Sequence, residues 1–567
     1  MGRFPQARLF FSSPLRSNPE ILLRLFGREG EGEYFVEHLS PVTQNIINVH
    51  TVNRSVRTAR MELVIGEDLV PLGNVDLPFR FRGQYVRKFA FHFTEADDCS
   101  IIYCNEPRAA DKVAAEIANE IQETTSDREL SDLATFLRQE VHHLYLLAEF
   151  VRKGVAFHYG NIPQIIRGRI EELLRDRKLR FVCCTSTLLQ GINLPAKNIF
   201  VEDPTRGRGK SMQKGDFWNL VGRAGRLSSE FQGTVFCIYG KEWEPNVTSD
   251  RLAQIESAFE VAVNERTPQL LKFVKEPPES PESSELAWAE QTYARIYADY
   301  TSSGKLLANS AGSSDDKLKD QFAQIDAFSA EFKKTLPDEL FVNNFYLHPI
   351  RLETLARFFR SQSDIQRWIP GSPYERGAFS RFGDIFAKLE EIVLRSGNWR
   401  YRYFAPLAVK WMQGQSLKEL IADKIRYEQS QDRTFDTARD VDRVNDLIRY
   451  LFEDIEKELR YTYVKYMRLY TDVLRAVLVE RRLNEEAEKL LPIHLFLEYG
   501  AANETLINLM ATGLSRTSAL LFKAAHRLRD DLTQSECQGY LDRVNIDRTE
   551  LPALCKAEIK RLRRTRA

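Results

Sequence analysis

Thr185-Ser186-Thr187-Leu188-Leu189-Gln190-Gly191-Ile192-Asn193-Leu194-Pro195-Ala196, followed downstream by Val221-Gly222-Arg223-Ala224-Gly225-Arg226, carries more information than the rest of the chain. Arg223 and Arg226 stand three apart in a glycine-bracketed turn, an arrangement that reaches charge building on a transferring phosphoryl group. Such arginines need a phosphate held in front of them. The sequence has no G-x-x-x-x-G-K-[ST] loop to hold one. Its Gly209-Lys210-Ser211 follows an apolar strand pattern from Asn198 to Val201, but Pro204 stands where the first glycine would be. Proline has neither the conformational freedom nor the N–H that position requires. The segment is therefore read as a basic loop carrying Arg206, Arg208, Lys210 and Lys214.

Working outward, Cys99 to Asn105 is an apolar strand leading into a helical pattern from Ala109 to Ile121, and Val155 to Gly160 is a second strand followed by the amphipathic run around Arg169 to Leu174. Continuous apolar strands alternating with amphipathic helices specify a parallel α/β lobe.

The two quoted segments resemble motifs V and VI of superfamily 2 helicases, ATP-driven nucleic-acid motors with two tandem RecA-like lobes. The wording is similar to that of the Ski-like branch, although Asn219-Leu220 stands where that branch has Gln-Met. The segments from Cys99 and from Val155 follow in the order of the same lobe, and Leu9 to Pro14 with Asn18 to Leu22 resembles the altered end of a first lobe. The expected fold class is a RecA-like second lobe with a parallel sheet, followed by a mainly α-helical region. On this resemblance residues 1–40 are expected to be the remnant of a first lobe and linker, 41–245 the second lobe, 246–335 a helical connector with flexible linkers and 336–567 helical accessory domains. The whole is similar to helicase subunits of Hachiman-type anti-phage systems.

The resemblance implies roles residue by residue. Arg223 and Arg226 are catalytic arginine fingers. Gly191, Asn193, Gly222 and Asn219 face ATP; Thr185 and Thr187 touch a nucleic-acid backbone. Arg206, Arg208, Lys210 and Lys214 lie where the branch has a strand-separating hairpin and are phosphate contacts. The implied cofactor is ATP with Mg2+, bound mainly by a first lobe that comes from another chain or a missing N-terminal part, so that this chain alone is inactive. The implied partners are DNA or RNA, with a nuclease subunit as a further candidate. The alternative is a nucleotide-independent nucleic-acid-binding or scaffold subunit of a defence or repair complex.

Composition bounds these readings. The 567 residues, 43% hydrophobic, suffice for several cores. Lys+Arg and Asp+Glu both total 80, so nucleic-acid affinity must come from local basic patches. No apolar run is long enough to span a bilayer, and a cytoplasmic location without a membrane partner is expected. The seven cysteines form no C-x-x-C and are read as reduced core thiols, and no metal site is expected.

Beyond the lobe, Glu276 to Ser284 and Ala308 to Asp316 have the composition of exposed connections. A long helical periodicity runs from Thr437 to Leu483. Within it Tyr463, Tyr466, Met467 and Tyr470 form a stripe read as core rather than as a base-stacking platform. Leu407 to Ile421 and Leu509 to Ala519 resemble segments of the helical domains that follow the motor. In the second of these, Ser515-Arg516 begins a helix that either aims its N-terminus at a phosphate or is an ordinary capped corner. His158 is read as a hydrogen-bonded structural histidine, and the tail from Lys556 to Arg566 as phosphate contact or solvated helix end.

Overall fold

The computed structural model describes residues 42–52, 57–80, 85–186, 196–205, 211–225, 232–243, 247–248, 257–276, 284–304, 316–395 and 399–566, with four isolated positions before them. The chain forms two compact units. One comprises residues 1–255, 424–452 and 552–557, the other 256–423, 453–551 and 558–567.

The first unit is built on one eight-stranded sheet in the order β3-β2-β1-β8-β7-β4-β6-β5. Four strands, β4 (Ser100–Tyr103), β5 (Val155–His158), β6 (Phe181–Cys184) and β7 (Asn198–Glu202), are buried at nearly every residue. Strands covered on both faces read as unbroken apolar runs, which is why they were legible without alternation. They pair in parallel, and β7 continues in parallel through β8 (Gln232–Ile238) to β1 (Thr43–Thr51). Each crossover is helical where described. The helix Pro107–Glu120 opens with proline at its first turn and buries Ala110, Ala114, Ile117 and Ala118, one stripe at helical spacing. Asp127 caps the helix Arg128–Glu140 by accepting from the N–H groups of Glu129 (2.8 Å) and Leu130 (3.0 Å).

The sheet is mixed rather than wholly parallel, because β2 (Thr58–Ile65) and β3 (Asp68–Asp76) add an antiparallel hairpin at one edge. Gly66, at φ +64°, supplies the left-handed turn between them. The outermost strand carries Pro71, which an edge strand tolerates because one row of its N–H groups has no ladder to feed.

Residues 424–452 return to this unit late in the sequence. Asn445 accepts from the Leu146 N–H (2.9 Å) and donates to the Leu144 carbonyl (2.9 Å), and Tyr145 meets the Phe452 ring edge-on.

The second unit is helical. Val263, Leu270, Phe273, Val274, Ala289, Tyr293, Ile296, Phe322 and Ile325 form one core cluster. The expected long periodicity begins in the first unit with the helix Val441–Glu453 and continues in the second with a π-helical run Asp454–Tyr463 and the helix Val464–Glu480. Tyr463, Met467 and Tyr470 are fully buried, with the Tyr463 hydroxyl donating to Glu390 (2.8 Å) and that of Tyr470 to the Trp368 carbonyl (2.7 Å). The stripe is core. All seven cysteines are buried free thiols, and burial raises the Cys104 thiol to about 12. Among the described residues no helix is long and apolar enough to cross a membrane. Both composition-marked connections and the first-lobe resemblance near the N-terminus fall outside the described residues, isolated positions aside.

Candidate functional site

The helix Lys214–Val221 buries Phe217, Leu220 and Val221 and ends at Gly222, whose N–H donates back to the Trp218 carbonyl (3.0 Å). The next two residues tighten: Arg223 N–H donates to Leu220 (2.9 Å) and Ala224 N–H to Val221 (2.9 Å). This turn then docks on the residue that precedes β7. Ala196 N–H donates to the Arg223 carbonyl (3.0 Å), and Gly225 N–H donates to the Ala196 carbonyl (2.8 Å). The end of the first quoted segment is thus stitched to the middle of the second.

Packing behind the turn explains its small residues. Ala224 is buried, and a side chain on Gly233 of β8 would stand 2.3 Å from the Ala224 carbonyl carbon. Gly225, at φ +86°, leaves no room either, since a Cβ there would meet Val42 Cγ1 at 2.4 Å. A backbone this close to its neighbours admits only glycine at those two places. The small residues Ala224 and Gly225 of the second segment therefore answer a packing requirement.

Arg223 is held half-buried on this turn, and burial alone lowers its pKa from the usual guanidinium value. Among the described residues no carboxylate lies within ion-pair distance of it. A desolvated guanidinium suits an incoming phosphate, so the chemistry of Arg223 fits the anionic end of a nucleotide. Asn219 is part-buried one helical turn before Arg223. Arg226, Gly191, Asn193 and Thr187 lie outside the described residues. Thr185 is buried at the end of β6, its N–H donating to the His158 carbonyl (3.3 Å). His158 itself is fully buried with Nε2 3.1 Å from Glu171 Oε1, a structural histidine.

The basic loop has a defined base. Thr205 and Ser211 form an antiparallel bridge, and Met212 N–H donates to the buried Pro204 carbonyl (3.1 Å). Asn105, just past β4, secures this base by accepting from the Thr205 N–H (2.9 Å) and donating to the Asp203 carbonyl (3.0 Å). Arg206, Arg208 and Lys210 themselves fall outside the described residues, while Lys214 opens the following helix.

In the helical unit, Ser515 caps the helix Arg516–His526, and its hydroxyl and N–H both donate to Glu558 (2.8 and 3.0 Å). Arg516 donates to the carbonyls of Gly500 (2.8 Å), Trp411 (3.2 Å) and Gln415 (2.7 Å) and stacks 3.7 Å from the Trp411 ring centroid. Burial pulls its pKa down to about 9. Its donors are thus spent joining two segments singled out in the sequence, around Trp411 and around Ser515. Nothing in either local pattern names a partner a hundred residues away. In the tail, Arg563 donates to the Leu541 and Val544 carbonyls.

No family model matches the chain. Anti-bacteriophage protein B of Escherichia coli is 32% identical over 141 residues, 25% of this chain and 19% of its own length. The ATP-dependent DNA helicase Hel308 of Methanococcus vannielii is 30% identical over 136 residues, 22% of this chain and 18% of its own length. The chain is a relative of the superfamily 2 helicases. Hachiman protein HamB of Bacillus cereus, 28% identical over 89 residues, 16% of this chain and 8% of its own length, is a further relative of this helicase-related chain. The chain spans about a fifth of the length of the first two of these curated relatives.

Proposed function

We propose that the chain supplies the second lobe of an ATP-dependent nucleic-acid helicase or translocase and works with a first RecA-like lobe borne elsewhere. The observation that carries the reading is the Ala196–Ala224 bridge, beside which Arg223 is half-buried with no carboxylate at ion-pair distance among the described residues. ATP with Mg2+ supplies the phosphoanhydride, held mainly by the first lobe. Arg223 and Arg226 donate to charge developing on the transferred group, and Gly191, Asn193, Asn219 and Gly222 border the nucleotide. Thr185 and Thr187 contact the nucleic-acid backbone, as do Arg206, Arg208, Lys210 and Lys214 around the hairpin base at Thr205 and Ser211. The relative named as an ATP-dependent DNA helicase favours DNA, and the one named as an anti-bacteriophage protein favours a role in antiviral defence, with a nuclease subunit as a fitting partner.

Pro204, in place of a phosphate-loop glycine, supports a second reading: a nucleotide-independent nucleic-acid clamp or scaffold. The two separate in one experiment. The chain mixed with its matching first lobe is expected to hydrolyse ATP faster when nucleic acid is added, and to be silent by itself. Binding without any stimulated hydrolysis by the pair would favour the clamp.

A further inference from the structure

Away from the motor motifs, the helical unit presents an aromatic and basic surface centred on Trp399. The run Trp399-Arg400-Tyr401-Arg402-Tyr403 alternates ring and cation. Trp399 is 61% exposed and sits in the left-handed region at φ 54°, a backbone state that persists in a non-glycine residue only where its surroundings impose it. Arg402 donates its N–H to the Trp399 carbonyl (3.1 Å) and lays its guanidinium carbon 4.2 Å from the indole centroid. The ring is thereby pinned from one side while most of its surface meets solvent.

The platform beneath it is rigidly tied. Arg400 pairs with Glu458 at 2.7 Å, and the Tyr403 hydroxyl donates to Asp454 at 2.7 Å, fastening the helix Tyr401–Met412 to the π-helical run Asp454–Tyr463. Tyr461, three residues beyond Glu458 on that run, is 70% exposed. A second π-helical segment, Leu389–Leu394, leads into the patch and ends at Arg395, again left-handed at φ 51°. Such wide turns are rare, and they concentrate where function needs a side chain re-aimed.

Charge selects the ligand. The carboxylates along this seam are answered: Glu458 by Arg400, Asp454 by Tyr403, Glu456 by Arg460 (2.7 Å) and Glu453 by Lys457 (2.5 Å). Arg402 is exposed, and among the described residues no carboxylate pairs with it. The excess beside the exposed rings is therefore positive. Flat apolar faces next to an uncompensated cation match unpaired bases strung on phosphate; in a duplex the base faces are already covered.

We propose that Trp399, Arg402 and Tyr461 form a stacking site for single-stranded nucleic acid, bases packing on the two rings and Arg402 facing the backbone. It rests on the reading that this chain engages nucleic acid, and is independent of the ATP chemistry assigned to Arg223 and Arg226. The test uses the full chain and labelled oligothymidylate. Trp399→Ala is expected to weaken binding by about 5- to 150-fold, the range for loss of one stacked base, and Trp399→Phe to retain most of the affinity. Because Trp399 is largely exposed, its removal leaves the core intact, which an unchanged melting temperature verifies. Photocrosslinking of the same oligonucleotide carrying 5-iodouracil is expected to mark the peptide that contains Trp399. Unchanged affinity of the folded Trp399→Ala variant would overturn the site, as would capture of a protein at this patch without any oligothymidylate bound. Hydrolysis by the reconstituted pair reports separately on the motor. Stimulation that is identical in wild type and Trp399→Ala at limiting oligothymidylate sinks the stacking site alone, whereas Trp399-dependent binding with no hydrolysis sinks the motor alone.

Discussion

Arg449 lies 3.2 Å from Asp111, joining the helix Val441–Glu453 to the helix Pro107–Glu120 across most of the sequence. Arg449 also pairs with Asp446, and the latter stands 3.8 Å from Arg108, so the late helix is held to the lobe by an ionic cluster. Burial pushes the Asp111 carboxyl up to about 7, outweighing the attraction of Arg449, and the like charge of Asp446 adds to the rise.

A pH dependence follows from that raised value. An acid whose folded pKa lies above its unfolded one contributes stability at low pH that is lost as pH rises through the folded value. Between about pH 4 and pH 7 the melting temperature of the wild type is expected to fall more than that of Asp111→Asn, in which the side chain cannot ionise. Parallel profiles for the two proteins would mean that Asp111 is ionised throughout this range.

Glycine requirements at the arginine turn are expected to separate by position. Gly225→Ala and Gly233→Ala each force a Cβ into contacts of 2.4 and 2.3 Å and are expected to cost about 1–3 kcal/mol in denaturant unfolding. Gly222 has helical φ and its nearest contact would be an ordinary 3.4 Å, so Gly222→Ala should change stability by less than about 1 kcal/mol. Equal losses at all three positions would contradict the packing described behind Ala224.

Salt dependence tests the basic loop. Each phosphate contact releases condensed counterions, so changing Arg206, Arg208 and Lys210 together to Ala is expected to flatten the slope of log affinity against log salt by roughly 2 to 3 for nucleic-acid binding. An unchanged slope removes the loop from the nucleic-acid path.

The parallel half of the sheet was legible because β4, β5, β6 and β7 are buried on both faces and so written as apolar runs. The hairpin of β2 and β3 was not, since β3 is exposed along nearly its whole length and carries Pro71 and Gly73, the marks of a loop rather than a strand. Motif spacing pointed to Arg223, but not to the reason for its neighbours: Ala196, Val42 and Gly233 approach Ala224 and Gly225 only once the sheet has closed. The Arg516–Trp411 stack and the Asp111–Arg449 pair were invisible for the same reason, each being a contact between helices whose local patterns are self-sufficient. A basic-aromatic alternation was present at Trp399 to Tyr403, yet only exposure distinguishes it from the buried stripe at Tyr463 and Tyr470.

Under the proposed function Arg223 completes a nucleotide site formed with another lobe. With the matching first lobe supplied in trans or by fusion, steady-state ATP hydrolysis at saturating nucleic acid measures it directly. Arg223→Ala is expected to lower kcat by about 10³-fold while nucleotide affinity changes far less, because the contact strengthens as the phosphoryl group transfers. A reconstituted pair that hydrolyses ATP equally well with and without the Arg223 guanidinium would contradict it.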